Sequence, residues 1–233
     1  MKRPGPCSVR YGEPMSYRAV VFDLGGVILG SPIHAIHRYE QHTGLEKDSI
    51  NHVVASTAPD GAWSLLERGE LGRAEVYTAF EDDCRKAGFE ISTRVMFEWM
   101  AEESQPRPAM LTAIGAIRAR GLRVGALTNN WAHDEGKAGP NDRNRALNDL
   151  FDVFIESSVE GIRKPDPQIY RLACTRLGVE PSEAVFLDDI GANLKPARKL
   201  GLTTIKVEDP VTALASLAET LGFPLDEPPG GAP

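Results

Sequence analysis

Side chains that can act as a nucleophile, a hydroxyl donor, a cation and a metal ligand occur where four apolar runs of the sequence end, or a few residues later. They are Asp23 after RAVVF, Thr128 in LRVGALTN, Lys164 beyond FDVFIES, and Asp188 with Asp189 at the end of EAVFLDD. A carboxylate can attack phosphorus to give an acyl phosphate, and further carboxylates suit Mg²⁺. A hydroxyl and an ammonium offset the charge of a transferring phosphoryl group. The set predicts a shared site for a phosphate group and a metal ion.

Each of these residues, taken alone, has a structural alternative. An aspartate at a strand end, such as Asp23, is often a helix cap or a turn residue, and the sequences TNN and KPDP are ordinary turn and helix-start sequences. The functional interpretation is favoured because the residues follow separate predicted strands. In a parallel sheet, ligands bind beyond the carboxyl ends of the strands.

The apolar runs predict a parallel β-sheet. They lie at residues 18–23, 122–129, 151–157, 183–189 and 203–207. They do not alternate polar and apolar residues, which is typical of strands covered on both faces. Helical patterns lie between them, such as DPQIYRLACTRLG, in which Asp166 is a predicted N-cap and Gly178 a terminator. The alternation predicts an α/β fold with a doubly wound parallel sheet.

A separate helical insertion is predicted between the first two strands. About ninety residues separate them, far more than a crossover with one helix requires. Residues 32–104 contain several helical patterns, whereas residues 17–31 and 105–223 carry the predicted strands. We therefore expect a core domain with a helical domain inserted into it, and hinges near Gly30–Pro32 and Gln105–Pro108.

Three polar segments are predicted to lie outside these domains or on their surface. Residues 1–16 are basic and rich in Pro and Gly but lack the apolar run of a signal peptide, so we expect a disordered leader. Residues 224–233 have the composition of a flexible tail or of a linker. Residues 132–149 predict a long loop and a short helix.

Composition excludes several classes of function. The net charge is −7, from 26 basic and 33 acidic residues, and the basic residues are dispersed, which argues against nucleic acid and anionic membranes as partners. No run approaches the roughly 18 apolar residues of a membrane span. The 3 cysteines are widely spaced and contain no C-x-x-C pair, so neither a disulfide framework nor a zinc site is predicted. A reducing compartment, the cytoplasm, fits best.

Four sequence motifs, in order, resemble those of the haloacid dehalogenase (HAD) superfamily. They are VVFDLGGV, ALTNN, GIRKPDPQIY and VFLDDIGANLKPARKLG. The resemblance covers residues 18 to about 225 and is greatest to the amino-terminal HAD domains of soluble epoxide hydrolase and of the long acyl-CoA dehydrogenase family members. It implies a Rossmann-like core, a movable C1-type helical cap and Mg²⁺-dependent hydrolysis of a small phosphorylated metabolite through an aspartyl phosphate.

The resemblance also assigns roles to individual residues. The family nucleophile corresponds to Asp23 and the family lysine to Lys164. The hydroxyl that holds phosphate corresponds to Thr128, with Asn129 beside it, and Asn193 is a further residue of the phosphate and substrate site.

The metal site implied by the resemblance uses side chains and one carbonyl. The carboxylates of Asp23, Asp188 and Asp189 are the expected Mg²⁺ ligands, together with the backbone carbonyl of Gly25.

Gly25 departs from the family pattern. Most family phosphatases have a second aspartate at this position, which protonates the leaving group and then activates water. Loss of such an acid typically costs about 10²–10⁴ in rate. We therefore expect a bias towards phosphates with good leaving groups, such as acyl, sugar-1- or aryl phosphates. His34, His37 or His133 could replace the acid, although we favour for all three the alternative that they are ordinary structural residues.

Two other functions remain open from the sequence. The chain could be a catalytically weak domain that binds phosphate or a protein partner, because Gly25 removes the acid. It could also be a 2-haloacid dehalogenase, although the Asp188–Asp189 pair argues for a metal, which those enzymes do not use. A homodimer, or association with another enzyme domain, is possible.

Overall fold

The core of the protein is a five-stranded parallel sheet, seen in a computed structural model that describes residues 17–131 and 147–226. The strands are β1 (Ala19–Phe22), β2 (Arg123–Thr128), β3 (Val153–Glu156), β4 (Ala184–Asp188) and β5 (Thr203–Lys206). Their order is β3-β2-β1-β4-β5, and all neighbours pair in parallel. The predicted doubly wound α/β sheet is confirmed.

Helices cover both faces of this sheet. The core helices are α6 (Pro108–Ala119), α7 (Ser157–Glu160), α8 (Pro167–Leu177), α9 (Gly191–Lys199) and α10 (Pro210–Leu221). Successive side chains of a strand point to opposite faces: Val20 and Phe22 pack with α6 and α10, whereas Ala19 and Val21 pack with α8 and α9. Both faces are apolar for this reason, which explains why the runs in the sequence do not alternate.

The N-cap and the terminating glycine predicted for α8 are confirmed. The side chain of Asp166 accepts a hydrogen bond from the backbone N–H of Gln168 at 2.8 Å, and Pro167 occupies the first turn. Gly178 ends the helix with a φ of 65°, a conformation that favours glycine.

Five helices form the segment inserted after β1. They are α1 (Pro32–Thr43), α2 (Ser49–Thr57), α3 (Ala62–Glu67), α4 (Arg73–Lys86) and α5 (Thr93–Glu103). They pack around a hydrophobic cluster of their own, which includes Tyr39, Trp63, Phe80 and Phe97. We call this segment the cap. Its status as a separate, movable domain stays a prediction.

The two chain segments that join the cap to the core run side by side. The backbone N–H of Gly30 donates to Gln105 at 3.1 Å, and the N–H of Arg107 donates to Ile28 at 2.8 Å. Gly30 is required here because a Cβ atom would lie 2.0 Å from the carbonyl oxygen of Glu103. These contacts lie at the positions of the two predicted hinges.

Some sequence predictions fall outside the described residues. They are the leader at residues 1–16, most of the polar stretch at 132–149, and the end of the tail from residue 227. Leu225 is buried in the core, so the packed chain extends past residue 223. Within the described ranges, no helix combines the length and apolar character needed to cross a membrane.

Candidate active site

The central three strands bring the predicted site residues together at their carboxyl ends. Asp23 directly follows β1, Thr128 ends the neighbouring strand β2, and Asp188 ends the other neighbour, β4. All three are buried. Lys164 enters from the loop between α7 and α8 and is only 1% exposed. Parallel strands place their carboxyl ends at one edge, so residues more than 160 positions apart meet here.

Lys164 bridges two of the carboxylates. Its Nζ lies 2.8 Å from Oδ1 of Asp23 and 2.7 Å from Oδ2 of Asp188. Asn193, in the first turn of α9, places its Nδ2 3.1 Å from both oxygens of Asp188. Asp188 is therefore held on two sides, and the nucleophile candidate Asp23 is paired with a fixed cation.

Asp189 is the third carboxylate of the acidic cluster. Its Oδ2 accepts a hydrogen bond from Oγ of Ser31 at 3.2 Å, at the start of the cap. Gly26, with a φ of 79°, passes so close that a Cβ atom would lie 1.9 Å from the same oxygen. A side chain at position 26 would displace the carboxylate, which gives this glycine a direct role in the shape of the site.

The donor set fits a divalent metal ion. Oxygens of Asp23, Asp188 and Asp189 lie within 4.8 Å of one another. When all are ionised, three carboxylates and the Lys164 ammonium sum to −3 + 1 = −2, which a divalent cation would neutralise. Carboxylate oxygens are also the ligands that Mg²⁺ prefers.

Burial is the largest influence on the pKa values of the two raised aspartates, and the neighbouring charges come second. Burial raises the pKa of Asp23 to about 8, with Asp188 and Asp189 adding to the rise and Lys164 opposing it. Burial, and then Asp188, raise the pKa of Asp189 to about 6. Burial disfavours the charge on Lys164, but the two carboxylates it contacts outweigh burial and raise its pKa. The lysine therefore stays cationic at neutral pH, whereas burial and the neighbouring carboxylates make Asp23 and Asp189 harder to ionise than usual.

Gly25 lies in the turn Leu24–Ile28, two residues after Asp23. Its φ of −65° and ψ of 126° are open to any residue. A Cβ atom there would lie 3.1 Å from Cγ and 3.2 Å from Cδ of Pro32, the first residue of α1. The space that a side chain at position 25 needs is thus narrowed by the proline ring of the cap.

Asn129 uses its side chain to hold Lys164. Its Oδ1 accepts the backbone N–H of Lys164 at 2.9 Å, and its Nδ2 donates to the carbonyl of Lys164 at 3.0 Å and to Glu67 Oε2 at 3.4 Å. Its predicted role in binding phosphate or substrate stays a prediction, and its amide already has protein partners.

Two histidines that could replace the missing acid lie on the first cap helix. His34 is exposed, and Nε2 of His37 lies 2.6 Å from Oδ1 of Asp48 within the cap. This pairing favours the interpretation of His37 as a structural residue of the cap. His133 lies outside the described residues.

Three residues near the site were not predicted: Ser31, Glu67 and Arg163. Glu67 belongs to the sequence LLERGELGRAEV, which is typical of a charged surface turn, yet its side chain is 9% exposed and its Oε2 lies 2.5 Å from Nε of Arg163. In the sequence, the feature that places Arg163 near the site is its position directly before Lys164.

Comparison with protein families and relatives gives a consistent result. A profile of the family described as "Hydrolase: haloacid dehalogenase-like hydrolase" matches residues 17–201. The chain is 39% identical to acyl-CoA dehydrogenase family member 10 of Mus musculus, over 90% of this chain and 20% of that protein. It is 36% identical to bifunctional epoxide hydrolase 2 of Sus scrofa, over 94% of this chain and 41% of that protein. The chain thus spans less than half of these two relatives. It is 31% identical to phosphatase MT3486 of Mycobacterium tuberculosis, over 83% of this chain and 88% of that protein.

Solved structures share the fold. A HAD-like hydrolase from Porphyromonas gingivalis has a TM-score of 0.60 and 24% identity, covering 86% of this chain and 97% of that chain. A HAD family enzyme from Bacteroides thetaiotaomicron, in complex with magnesium and inorganic phosphate, has a TM-score of 0.56 and 21% identity. The match covers 83% of this chain and 97% of that chain. L-2-haloacid dehalogenase from Xanthobacter autotrophicus has a TM-score of 0.55 and 20% identity, and the match covers 88% of this chain and 83% of that chain.

Proposed function

Because the chain belongs to the haloacid dehalogenase-like hydrolase family, we propose that it is a Mg²⁺-dependent phosphatase of small phosphorylated metabolites. The observation that carries the proposal is the buried cluster in which Lys164 bridges Asp23 and Asp188 beside Asp189. A nucleophile, a fixed cation and three carboxylates that could hold a divalent metal ion, all at one strand edge, match the needs of phosphoryl transfer. The relative named a phosphatase supports this class.

In the proposed first step, a carboxylate oxygen of Asp23 bonds to phosphorus while the bond from phosphorus to the leaving oxygen breaks. The leaving group departs with the bonding electron pair, and Asp23 becomes an acyl phosphate. Thr128 donates its hydroxyl to a phosphoryl oxygen, and the Lys164 ammonium offsets the charge that the phosphoryl group spreads over its oxygens.

In the second step, water attacks phosphorus, the acyl phosphate bond breaks, and inorganic phosphate and the free Asp23 carboxylate are released. Asp23, Asp188, Asp189 and the carbonyl of Gly25 would hold Mg²⁺. Mg²⁺ bound there would supply electrostatic stabilisation of the phosphoryl oxygens. Asn193 keeps Asp188 oriented for this role through both carboxylate oxygens.

The weak point of the site is proton transfer. Gly25 has no side chain to protonate the leaving oxygen or to accept a proton from water, and Pro32 occupies part of the space that such a side chain would need. Leaving groups that depart without protonation suffer least from this loss. Phosphates with good leaving groups are the proposed substrate class.

A second candidate function follows from the same residue. With Gly25 in place of an acid, the domain could bind phosphate or a protein partner with little turnover. Because acyl-CoA dehydrogenase family member 10 and bifunctional epoxide hydrolase 2 are both longer than this chain, the proposal includes association with another enzyme domain. Metal-free dehalogenation ranks lower because it gives no metal-binding role to Asp188 and Asp189.

The proposed setting is the reducing cytoplasm. Among the described residues, Cys84 and Cys174 are both buried and free.

One assay separates these functions. Hydrolysis of p-nitrophenyl phosphate, measured with Mg²⁺ and with EDTA, should require the metal and should vanish in Asp23→Asn. Inactivity on a broad panel of phosphates would favour the binding domain. Fluoride release from fluoroacetate without metal would favour the dehalogenase.

A further inference from the structure

Asn129 is a clamp on the backbone of Lys164. A carboxamide offers two N–H donors and one acceptor oxygen. In Asn129, the oxygen receives the N–H of Lys164, and the nitrogen donates to the carbonyl of Lys164 and to Oε2 of Glu67. Both donors are thus engaged by protein groups. The side chain fixes the residue whose ammonium bridges Asp23 and Asp188.

Glu67 brings this clamp under the control of the cap. It is the last residue of α3, and its carboxylate is buried between the cap and the core. Its Oε1 accepts the indole N–H of Trp63 at 3.0 Å, and its Oε2 lies 2.5 Å from Nε of Arg163. A buried carboxylate is costly unless it is paired and hydrogen-bonded, so these contacts hold it in one place.

Arg163 links the same carboxylate to the chain beside the lysine. It directly precedes Lys164, and its Nη1 donates to Oγ of Ser64 on α3 at 2.9 Å. Glu67 therefore contacts both supports of Lys164: the preceding residue, through an ion pair, and the Asn129 clamp, through a hydrogen bond.

We propose that Glu67 is a positioning residue that acts through Asn129 and Arg163 to hold Lys164 in its catalytic place when the cap is packed on the core. The kinetic part of this inference rests on the proposed phosphatase function. Withdrawal of α3 would remove Glu67 from both contacts, and the lysine would lose orientation. Phosphoryl transfer would then be confined to the closed, water-excluding state.

The test compares two buried cap glutamates that receive the same change. Glu67→Gln keeps the size of the side chain but removes the charge that pairs with Arg163, and it replaces with an amide NH₂ one of the two oxygens that accept from Trp63 and Asn129. Glu40→Gln is the matched control, because Glu40 is fully buried and its two oxygens accept the backbone N–H groups of Asp48 at 2.9 Å and Ile50 at 2.8 Å, within the cap alone.

Two readouts are measured on each full-length variant. The first is turnover of p-nitrophenyl phosphate with Mg²⁺, where Glu67→Gln should lower kcat about tenfold and leave KM within about twofold, because one charge-assisted contact is lost. The second is hydrogen exchange of the Lys164 amide, which donates to Asn129 and should exchange faster. Glu40→Gln should lower the melting temperature but change neither readout.

A double-mutant cycle tests the route of the coupling. If Glu67 acts through Asn129, adding Glu67→Gln to Asn129→Ala should lower kcat further only by the part of the effect that runs through Arg163. The combined loss should therefore be smaller than the sum of the two single losses in free energy. If Glu67→Gln does not fold, Arg163→Lys, which keeps the charge but not the paired contacts with Ser64 and Glu67, should lower kcat by the share that runs through Arg163 and leave KM unchanged.

The outcomes separate the two proposals. If the wild type hydrolyses phosphate and Glu67→Gln matches it in kcat and in Lys164 exchange, the positioning role is overturned. If the wild type hydrolyses no phosphate but Lys164 exchange still responds to Glu67→Gln and not to Glu40→Gln, the proposed function fails and the structural coupling stands.

Discussion

The ring of Pro32 lies close to the point where a side chain at Gly25 would begin: a Cβ atom on Gly25 would approach Cγ of the ring to 3.1 Å and Cδ to 3.2 Å. These distances are shorter than ordinary van der Waals contact, so one of the two groups must give way if position 25 carries a side chain. The missing acid and the first residue of the cap are therefore linked.

Restoring the acid should require relief at Pro32. Gly25→Asp alone should raise kcat/KM on a small alkyl phosphate less than about tenfold, whereas Gly25→Asp with Pro32→Ala should raise it about 10²-fold, at the low end of general acid catalysis. Pro32→Ala alone is the control and should leave the rate unchanged. A full gain from Gly25→Asp alone would show that the ring is no obstacle.

The wild type should depend strongly on its leaving group. Because Gly25 cannot protonate the departing oxygen, kcat/KM should fall steeply from p-nitrophenyl to phenyl to alkyl phosphates as the leaving-group pKa rises. The slope should flatten in the double variant that combines Gly25→Asp with Pro32→Ala, because its new carboxyl group can protonate the leaving oxygen. Equal wild-type rates on aryl and alkyl phosphates would contradict this account of the site.

Mg²⁺ affinity should rise with pH. In the metal-free protein, the pKa of Asp189 is raised to about 6 and that of Asp23 to about 8, so both hold protons in the acid range that Mg²⁺ must displace. The dissociation constant should fall as pH rises through about 6 and again towards about 8, then level off. Calorimetry in buffers of different ionisation enthalpy measures the released protons, and Asp189→Asn should remove the lower step. An affinity independent of pH would exclude this linkage.

The same raised pKa values set the sign of the stability effect. A carboxyl whose pKa is raised on folding stabilises the fold while it is protonated, and this contribution is lost as pH rises from the unfolded pKa through the folded one. The metal-free protein should therefore lose stability from this cluster between about pH 4 and pH 8, and added Mg²⁺ should recover it. Thermal unfolding across this pH range, with and without Mg²⁺, measures both effects.

Gly26 should be required for the metal site more than for the fold. Gly26→Ala places a Cβ atom 1.9 Å from Asp189 Oδ2 and also strains a φ of 79°. Gly44→Ala is the matched control, because Gly44 has a φ of 76° but open space around its Cα. Both variants should lose about 1–2 kcal/mol of unfolding free energy from the backbone conformation. Only Gly26→Ala should also lose most Mg²⁺ affinity, measured by calorimetry; equal affinities in the two variants would refute the close-approach argument.

The sequence predicts the sheet and the acidic cluster because both depend on local patterns. Buried parallel strands are marked by short apolar runs, and Asp23, Thr128 and Asp188 each lie at the end of one. Burial of Glu67 could not be read in this way. Its partners Asn129 and Arg163 lie 62 and 96 residues further along the chain, and its neighbours in sequence are charged. The tight approach of the Pro32 ring to the Cβ position of residue 25 likewise depends on the path of the turn between them.

The central claim is that Asp23 is a nucleophile that becomes phosphorylated. The most direct measurement is to mix the protein with Mg²⁺ and p-nitrophenyl phosphate, quench rapidly, reduce with borohydride, and identify the modified residue by mass spectrometry. An acyl phosphate should be reduced to homoserine at position 23, and it should accumulate because Gly25 provides no base for its hydrolysis. Hydrolysis that proceeds with an unmodified Asp23 at every quench time, or that persists in Asp23→Asn, would contradict the account.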